Sequence, residues 1–332
     1  MRFPPSLNLS LMTYLGKKRW QRQEKFPLVL MLEPTHKCNL SCTGCGRIQE
    51  YQETLGQMLT LKECLESVTA CGAPVVTITG GEPLVYPPIY ELIQELIHRR
   101  KHIYLCTNGL LLEKALTRLN PSARLTLSVH LDGLAPTHDR IIGRPGGFRQ
   151  VFSAIKRAKE MGFQVITNTS IYRETDIGEI EELFTNLTAL DINGLLVSPA
   201  FNFEVLESDF FLTREEIQEK FRQLTGNGHS YKFYSSPLYL KFLRGERFYD
   251  CTPWANPTRN PQGWRSPCYQ IADGHWETFA ELMEKTPWDK YGVHRDPRCR
   301  QCMMHSGFEP TIVHTLGKDS RDLWEMVRWN IS

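Results

Sequence analysis

The chain has 332 residues, of which 41% are hydrophobic and 23% charged, and its formal net charge is +2. These values are ordinary for a globular protein and exclude the strong positive field of a nucleic-acid-binding surface. The length predicts about two domains, or a barrel with an appendage. The sequence has no run of about 18 apolar residues and no secretory signal, so we expect no membrane-spanning helix.

The first 26 residues form a segment of their own. Apolar residues at roughly helical spacing are followed there by a basic stretch: Leu7, Leu11, Met12, Leu15 and Trp20, then Lys17, Lys18, Arg19, Arg22 and Lys25. This pattern predicts an amphipathic N-terminal arm over 1–26 that can lie on an anionic membrane surface. A terminal helix packed on the main domain is the alternative, and both can hold together.

From residue 27 to residue 235, strand and helix patterns alternate. The predicted strands are PLVLMLEP, PVVTITGG, HIYLCTNG, RLTLSVHLDG, FQVITNTSIY and INGLLVSP. Helices are predicted near 60–72, 88–100, 111–119, 146–162 and 177–189. Six such units over about 200 residues predict an α/β fold with a parallel sheet, a partial (β/α)6 barrel of the TIM type.

Residues 236–332 lack this periodicity. The stretch YDCTPWANPTRNPQGWRSPCYQ is rich in Pro, Asn, Gly and Trp. A loop-rich region of this size needs a staple if it is to be ordered, and cysteines can supply one. We therefore predict a C-terminal, cysteine-rich auxiliary domain over 236–332.

Cys38, Cys42 and Cys45 follow the first predicted strand with C-x3-C-x2-C spacing. Three thiolates this close can hold three irons of a [4Fe–4S] cluster, which usually has four thiolate ligands. The fourth iron is then open and reactive, as is the open position of a catalytic zinc site. A zinc site is the alternative, although zinc motifs usually pair C-x2-C with a second, distant pair.

Gly80, Gly81, Glu82 and Pro83 form a turn at the end of the second predicted strand. Two glycines let the backbone approach a ligand closely. Together with the cysteine loop, this turn resembles the radical S-adenosylmethionine (SAM) superfamily. The resemblance implies a [4Fe–4S] cluster on the three cysteines, with SAM on its open iron and the amino end of SAM at the Gly-Gly-Glu-Pro turn.

The stretch SVHLDGLAPTHDRIIGRPGGF is similar to a segment of radical SAM enzymes that carry extra clusters. The resemblance implies that Ser128 contacts SAM and that Arg140 lies near its carboxylate. A loop turn at Asp132 and a surface ion pair between Asp139 and Arg140 are the structural alternatives.

Four cysteines lie in the tail: Cys251, Cys268, Cys299 and Cys302. Their spacing resembles the auxiliary-cluster domain called Twitch, which implies a second [4Fe–4S] cluster. A zinc site closed by four thiolates and unliganded cysteines are the alternatives. Cys64 and Cys71 are predicted to be plain core residues. Cysteines grouped in this way indicate metal binding in a reducing compartment, and hence a cytoplasmic protein.

Within the superfamily, the chain resembles the adenosylhopane synthase family of hopanoid biosynthesis over nearly all of its length. The shared stretches include CGAPVV, YLCTN, SVHLDG, CTPWANPTRN and CMMHSGFE. The resemblance implies addition of the 5′-deoxyadenosyl radical of SAM to the alkene of a lipid, diploptene. It also implies an external electron donor such as flavodoxin or ferredoxin. The N-terminal arm would then place the mouth of the site near the inner membrane surface.

Cys106 lies near the carboxyl end of the third predicted strand. Addition to the terminal CH2 of the alkene leaves a tertiary carbon radical that needs a hydrogen atom. A thiol S–H bond is weaker than a tertiary C–H bond, so transfer from Cys106 is downhill, and the resemblance favours this catalytic role. A small, inert strand residue is the alternative. The tail cluster would relay the electron that restores the thiol.

Aromatic residues after the sixth predicted strand either line a pocket for a rigid polycycle or form core between domains. They are Phe201, Phe203, Phe210, Phe211, Tyr231, Phe233, Tyr234, Tyr239 and Phe242. Two other functions fit part of the sequence. A radical SAM peptide maturase would abstract hydrogen, but 26 residues before the barrel are too few for its usual leader-binding module. A non-enzymatic iron–sulfur or zinc protein would leave the Gly-Gly-Glu-Pro turn unexplained.

Overall fold

The computed structural model describes residues 3–201, 211–226, 231–317 and 319–331. Its centre is one nine-stranded sheet with the order β6-β5-β4-β3-β2-β1-β7-β8-β9. The strands are β1 Val29–Leu32, β2 Val75–Ile78, β3 His102–Thr107, β4 Leu125–His130, β5 Gln164–Ile171, β6 Gly194–Pro199, β7 Thr258–Asn260, β8 Gly263–Pro267 and β9 Ala272–Trp276. The strands β1 to β6 are parallel, and the α/β barrel-type fold predicted from the sequence is confirmed.

Helices connect and cover the strands. They are α1 Pro5–Trp20, α2 Gly46–Glu50, α3 Leu61–Cys71, α4 Ile89–His98, α5 Leu112–Leu116, α6 Ala135–Ile142, α7 Gly147–Glu160, α8 Ile177–Ala189, α9 Arg214–Gly226, α10 Pro237–Leu243, α11 Phe279–Lys285, α12 His305–Thr315 and α13 Ser320–Ile331. One large core joins buried residues of the strands to the inner faces of these helices. Cys64 and Cys71 lie in this core, as predicted.

Local sequence signals set several helix ends. The side chains of Thr60 and Glu63 form the predicted capping box at the start of α3, and Gly72 ends that helix in a left-handed conformation. The helix α6 has no counterpart among the predicted helices. It is short and has a proline in its first turn, a sequence that is equally typical of a loop.

The tail is more regular than its sequence indicates. The strand β7 pairs in parallel with β1, and β8 and β9 continue the same sheet as antiparallel strands. The segment after residue 235 therefore shares a sheet with the barrel. Strands of three to five residues carry too little periodicity to be recognised in a region rich in Pro and Gly.

The helix α1 packs across the amino ends of the strands. The Ser10 hydroxyl lies 3.4 Å from the ring of His102, the first residue of β3, and the Tyr14 hydroxyl donates to the Pro27 carbonyl, which precedes β1. The packed terminal helix is thus observed, at the edge of the sheet opposite the cysteine loop. No helix within the described ranges is both long and apolar enough to cross a bilayer.

A candidate cluster site at the carboxyl edge of the barrel

The three predicted cluster ligands lie in the loop between β1 and α2, with partly exposed side chains. Burial, with the nearby Glu82 and Cys45, raises the pKa of Cys38 to about 11. Burial and then repulsion from Cys45 and Cys38 raise the pKa of Cys42 to about 12. The thiols therefore lie close enough to oppose each other's ionisation. Positively charged irons would relieve that repulsion, so this donor set fits a cluster.

The three thiols of the cysteine loop do not converge on one point, as the ligands of a single metal ion would. Within the described ranges, no three His, Cys, Asp or Glu side chains converge closely enough to hold a single metal ion. An iron–sulfur cluster presents its irons at separate corners, and its thiolates need not converge. The fit of the loop to a cluster consequently rests on the shared repulsion of Cys38, Cys42 and Cys45.

The two glycines of the predicted SAM-binding turn approach the cysteine loop itself. The Gly81 N–H donates to the Thr35 carbonyl at 3.0 Å, and the Glu82 N–H donates to the Lys37 carbonyl at 2.9 Å. A Cβ on Gly81 would collide with the Lys37 carbonyl, and Gly80 has φ +114°. These positions require glycine because the turn holds the segment that leads to the cysteines.

Glu82 joins the ends of two strands beneath the cysteine loop. Its buried carboxylate accepts hydrogen bonds from the Thr107 hydroxyl and the Asn108 N–H, both at 2.8 Å. Burial raises its pKa to about 7 although these bonds oppose the rise. Asn108 in turn donates to the Asn39 side chain at 2.8 Å. Pro83 starts a single 3-10 turn, Pro83–Val85, at this point.

Cys106 faces the lumen of the barrel. It pairs with Ser128 of β4 in the register of the sheet, and the Ser128 hydroxyl lies beside its thiol. The side chain lies deep in the protein and keeps some accessible surface, as expected for a lumen residue. Burial raises its pKa to about 12, so the sulfur carries its hydrogen at neutral pH.

The two SAM contacts implied by the third motif lie in different environments. Ser128 is buried and lies beside Cys106 of the neighbouring strand. Arg140 is exposed on α6 and lies 3.6 Å from Glu174, with both side chains about two-thirds exposed. Arg140 is therefore in a surface ion pair, but with Glu174 and not with the predicted Asp139, whose carboxylate accepts backbone N–H groups instead. The helix α6 does contact the cluster loop, because the Thr43 N–H donates to the Ile141 carbonyl at 3.0 Å.

One polar pair at this edge was not predicted. The His130 ring lies 2.6 Å from the Asp132 carboxylate, which also accepts the Ser170 N–H at 2.8 Å. Burial disfavours the charged imidazole, but Asp132 outweighs that effect and raises the pKa of His130. Asp132 also raises the pKa of Cys42, so the pair lies beside the cluster loop. The period of two along β4 places Ser128 and His130 on one face, which is the signal that could have identified His130.

A buried network of charges connects the cluster loop to the tail. Arg47 lies 3.2 Å from Glu33 and 3.1 Å from Glu50, and Arg265 lies 2.8 Å from Glu50. The guanidinium of Arg265 also donates to the Cys268 carbonyl at 3.1 Å. Two acids and two bases balance in charge, as burial requires. The network therefore joins the helix that follows the triplet to the loop that holds a tail cysteine.

The four tail cysteines line one cavity, together with aromatic residues and Ser306. Burial and then repulsion from each of the other three thiols raise the pKa of Cys251 well above its usual range. Burial also raises the pKa of Cys268, that of Cys299 to about 11 and that of Cys302 to about 12. This cavity brings together four thiols that are far apart in sequence, and the set fits the predicted second cluster.

A larger cavity of about 360 Å³ opens beside the four-cysteine cavity, at the end of β6. The two cavities share the lining residues Phe201, Gln270, Ile271, Cys302 and Met304. Its volume is within the range of small-molecule sites. Among the predicted pocket aromatics, Phe201 lines it, whereas Phe203 and Phe210 lie outside the described residues.

Most of the other predicted pocket aromatics lie in the core. Phe211, Phe233, Tyr234, Tyr239 and Phe242 are buried, and Tyr231 packs against the same core. The alternative interpretation of these residues as core is therefore the one observed.

A partial parallel barrel that presents three cysteines after its first strand defines a class of α/β enzymes that bind an iron–sulfur cluster at the mouth of the barrel. Residues 32–187, which include the three cysteines and the Gly-Gly-Glu-Pro turn, match the family model described as the radical SAM superfamily. Residues 195–326 match a second model, described as a domain of unknown function, DUF3463.

Several known proteins are similar to the chain. The AdoMet-dependent heme synthase of Methanosarcina barkeri is 30% identical over 52% of this chain and 51% of its own length. The GTP 3′,8-cyclase of Petrotoga mobilis is 32% identical over 57% of this chain and 62% of its own length. The alignments thus span little more than half of these relatives.

Among solved structures, Streptococcus suis SuiB bound to S-adenosylmethionine superposes with a TM-score of 0.61 at 18% identity, over 86% of this chain and 69% of that one. At this identity, the likeness shows the fold. The match of fold, motif and superfamily supports SAM and a [4Fe–4S] cluster as the cofactors.

Proposed function

We propose that this radical SAM enzyme forms a C–C bond by adding the 5′-deoxyadenosyl group of SAM to the alkene of a hopanoid lipid, diploptene. When bound at the cysteine loop, the reduced cluster and SAM supply the 5′-deoxyadenosyl radical. The observation that carries the proposal is Cys106, a protonated thiol in the barrel lumen, paired with Ser128 of the neighbouring strand. An enzyme that only abstracts hydrogen from its substrate has no need of a hydrogen donor at this place.

The proposed role of Cys106 is to end the reaction. The carbon radical left on the adduct takes the hydrogen of the thiol, so that an S–H bond breaks, a C–H bond forms and a thiyl radical remains. A thiolate has no hydrogen to give, and the high pKa of Cys106 keeps the sulfur in the form that does. Ser128 positions the thiol within the lumen.

The test is Cys106→Ala, with diploptene, SAM and a reductant. We expect methionine release to persist, because the cluster loop is intact, and the saturated adenosyl adduct to fall at least about 100-fold. Cys71→Ala is the matched control, because this core thiol lies at the far end of α3. Undiminished formation of the saturated adduct by Cys106→Ala would contradict the donor role.

We further propose that the four-cysteine cavity binds a second [4Fe–4S] cluster that passes an electron from a flavodoxin or ferredoxin toward Cys106. The support is that four thiols from distant parts of the chain line one cavity, next to the larger cavity at the end of β6. A zinc site closed by four thiolates is the alternative, and it would require the four thiols to move together, since no three such side chains of the described residues converge on one point. Absorbance and EPR spectra of a variant that lacks the triplet cysteines separate the two, since zinc gives neither signal.

A radical SAM peptide maturase is the second candidate function. It would release 5′-deoxyadenosine and leave the adenosyl group out of its product. Mass spectrometry after incubation with diploptene distinguishes the two reactions. An adenosyl adduct supports the addition reaction, whereas stoichiometric 5′-deoxyadenosine without an adduct supports hydrogen abstraction.

We also propose a peripheral contact with an anionic membrane through α1 and α13. These helices run antiparallel: the Phe3 ring contacts Trp329, and Arg19 donates to the Leu316 carbonyl. Both expose large apolar side chains, including Trp20 and Trp324, at 85% and 72%. Residues 1–26 contain six Lys or Arg and one Glu. Such a surface fits an anionic bilayer.

This surface lies at the amino edge of the sheet, opposite the cysteine loop, and so does not bring the loop itself to the bilayer. The double variant Trp20→Ser/Trp324→Ser should lose most of its sedimentation with vesicles that contain phosphatidylglycerol. Phe248→Ser is the control, because Phe248 is an apolar residue that is 60% exposed and lies outside the two helices. Unchanged sedimentation of the double variant would refute the contact.

A further inference from the structure

A pair of tyrosines lies near Cys106 in the barrel lumen. Tyr104 and Cys106 are on the same face of β3, with Cα atoms about 7 Å apart. The phenol oxygens of Tyr104 and Tyr234 are 2.6 Å apart, a short hydrogen bond. Two facing hydroxyls deep in a protein cost desolvation that phenylalanine would avoid. Packing alone therefore does not account for the pair.

A carboxyl group is held next to the segment that carries Tyr234. Glu309 enters from α12 and accepts the Ser236 N–H at 2.7 Å, two residues after Tyr234. Burial is the main cause that raises the pKa of both phenols, and the charge of Glu309 adds to it. Burial, opposed by the bonds from Ser236, raises the pKa of Glu309 to about 7. The group can thus both hold and release a proton near neutral pH.

We propose that Tyr104, Tyr234 and Glu309 form a relay that returns a hydrogen atom to Cys106 after each turnover. The inference rests on the proposed function, because only a thiol that has given up its hydrogen needs to be restored. The relay adds a regeneration step to that function and assigns it to residues outside the cluster motifs.

Each step of the relay conserves protons and electrons. Tyr104 gives one electron and one proton to the Cys106 thiyl, so that a phenol O–H bond breaks and an S–H bond forms. Tyr234 gives a hydrogen to the Tyr104 phenoxyl across their hydrogen bond. Tyr234 then regains a proton from Glu309 and an electron from an external one-electron carrier of the flavodoxin or ferredoxin class. Glu309 is reprotonated from solvent.

The connection to the tail favours entry of the electron from that side. The Tyr239 hydroxyl donates to the Met303 carbonyl at 2.7 Å, directly after a tail cysteine, and Glu309 acts on Tyr239 too. Gly307, two residues before Glu309, packs so closely against Cys251 that an added Cβ would lie 3.3 Å from its sulfur. The helix α12 therefore runs from the four-cysteine cavity to the tyrosine pair.

Tyr104→Phe and Tyr234→Phe test the relay. In the intact enzyme, Tyr104→Phe should form about one adduct per chain and then slow at least about tenfold, because the first turnover uses the hydrogen already on Cys106. Tyr234→Phe should form about two adducts before it slows, because Tyr104 can still restore the thiol once. The second measurement is of the protein itself. Once turnover has slowed, alkylation and mass spectrometry should find Cys106 intact in the wild type and largely oxidised in both variants.

Tyr231→Phe is the matched control, since its hydroxyl bonds the Glu181 carbonyl at 3.3 Å, away from the pair. Multiple turnovers with intact Cys106 in both Tyr104→Phe and Tyr234→Phe would overturn the relay alone. Normal adduct formation by Cys106→Ser would instead remove the donor role and, with it, the reason for a relay. A variant that melts at the wild-type temperature but gives no first turnover would also contradict the relay.

Discussion

The two cysteine sites of this chain are built in opposite ways. Cys38, Cys42 and Cys45 come from one loop at the carboxyl edge of β1, and their side chains stay partly exposed. The tail thiols, which are also partly exposed, come from three separate stretches and line one cavity. A continuous loop can leave a site open to a second ligand, whereas a site assembled from distant stretches also fastens those stretches together. The first arrangement suits chemistry and the second suits structure or electron transfer.

The surroundings of the two sites also differ, in polarity. Charged and polar groups lie next to the triplet, with Glu33 and Arg47 on one side and His130 and Asp132 on another. The tail cavity is lined largely by apolar and aromatic side chains. A polar mouth can orient a charged cofactor such as SAM, while an apolar shell limits contact of a group with water.

The largest effect is expected on SAM cleavage, when a single cysteine is replaced in one site or in the other. Cys42→Ala should lower reductive SAM cleavage at least about 1,000-fold, since the open cluster supplies this chemistry. Cys251→Ala should retain SAM cleavage within about tenfold. The measurement is methionine release with dithionite and no lipid. Equal losses in the two variants would remove the functional distinction between the sites.

Iron content is the next measurement that distinguishes the two cysteine sites. A variant with all three triplet cysteines replaced by alanine should retain about four irons per chain after anaerobic reconstitution, bound in the tail. Replacing the four tail cysteines should leave a similar amount in the triplet. Iron analysis and EPR measure both variants. Full loss of iron from the first variant would show that the tail binds no cluster of its own.

The charge network between the sites is expected to affect stability. Arg265→Met leaves Glu50 without one buried partner and should lower the free energy of unfolding by about 3 kcal/mol. Arg140→Met, in an exposed pair, should change it by less than about 0.5 kcal/mol. Denaturant titration of the two variants is the measurement. Adding Glu50→Gln to Arg265→Met should restore part of the loss, and no restoration would show that the two residues act independently.

The smallest effect is expected from Glu309, in the tail, on the pH dependence of the free energy of unfolding. The pKa of Glu309 is about 7 in the folded chain and 4.5 for an ordinary glutamate. Between these values the folded state binds more protons, so the free energy of unfolding should fall as pH rises, by at most about 1.4 kcal/mol per pH unit. Glu309→Gln should flatten this slope between pH 5 and 7. An unchanged slope in urea titrations would contradict the assignment, and Glu82→Gln provides the same test beside the triplet.

Local signals made the barrel predictable. The capping box at Thr60 and the apolar run before Cys38 identify their elements from a few neighbouring residues, and the spacing of the triplet does the same for the cluster loop. The strands β7 to β9 depend instead on pairing with β1, which no short window of sequence records. The link of Arg47 to Arg265 through Glu50 joins residues more than 200 positions apart, and it likewise could not be predicted from the sequence.

The buried charges of Arg47 and Arg265 have a consequence for metal binding at the triplet and at the proposed tail site. Arg47 stands two residues after Cys45, and Arg265 bonds the carbonyl of Cys268, while Glu50 contacts both guanidinium groups. If filling one site moves Glu50, the arginine beside the other site has its ion-pair partner moved as well. Thermodynamic reciprocity then requires that occupancy of the tail alters the affinity of the triplet by the same factor as the reverse. The order in which the two sites are loaded cannot change the total free energy of loading, only its division between the steps.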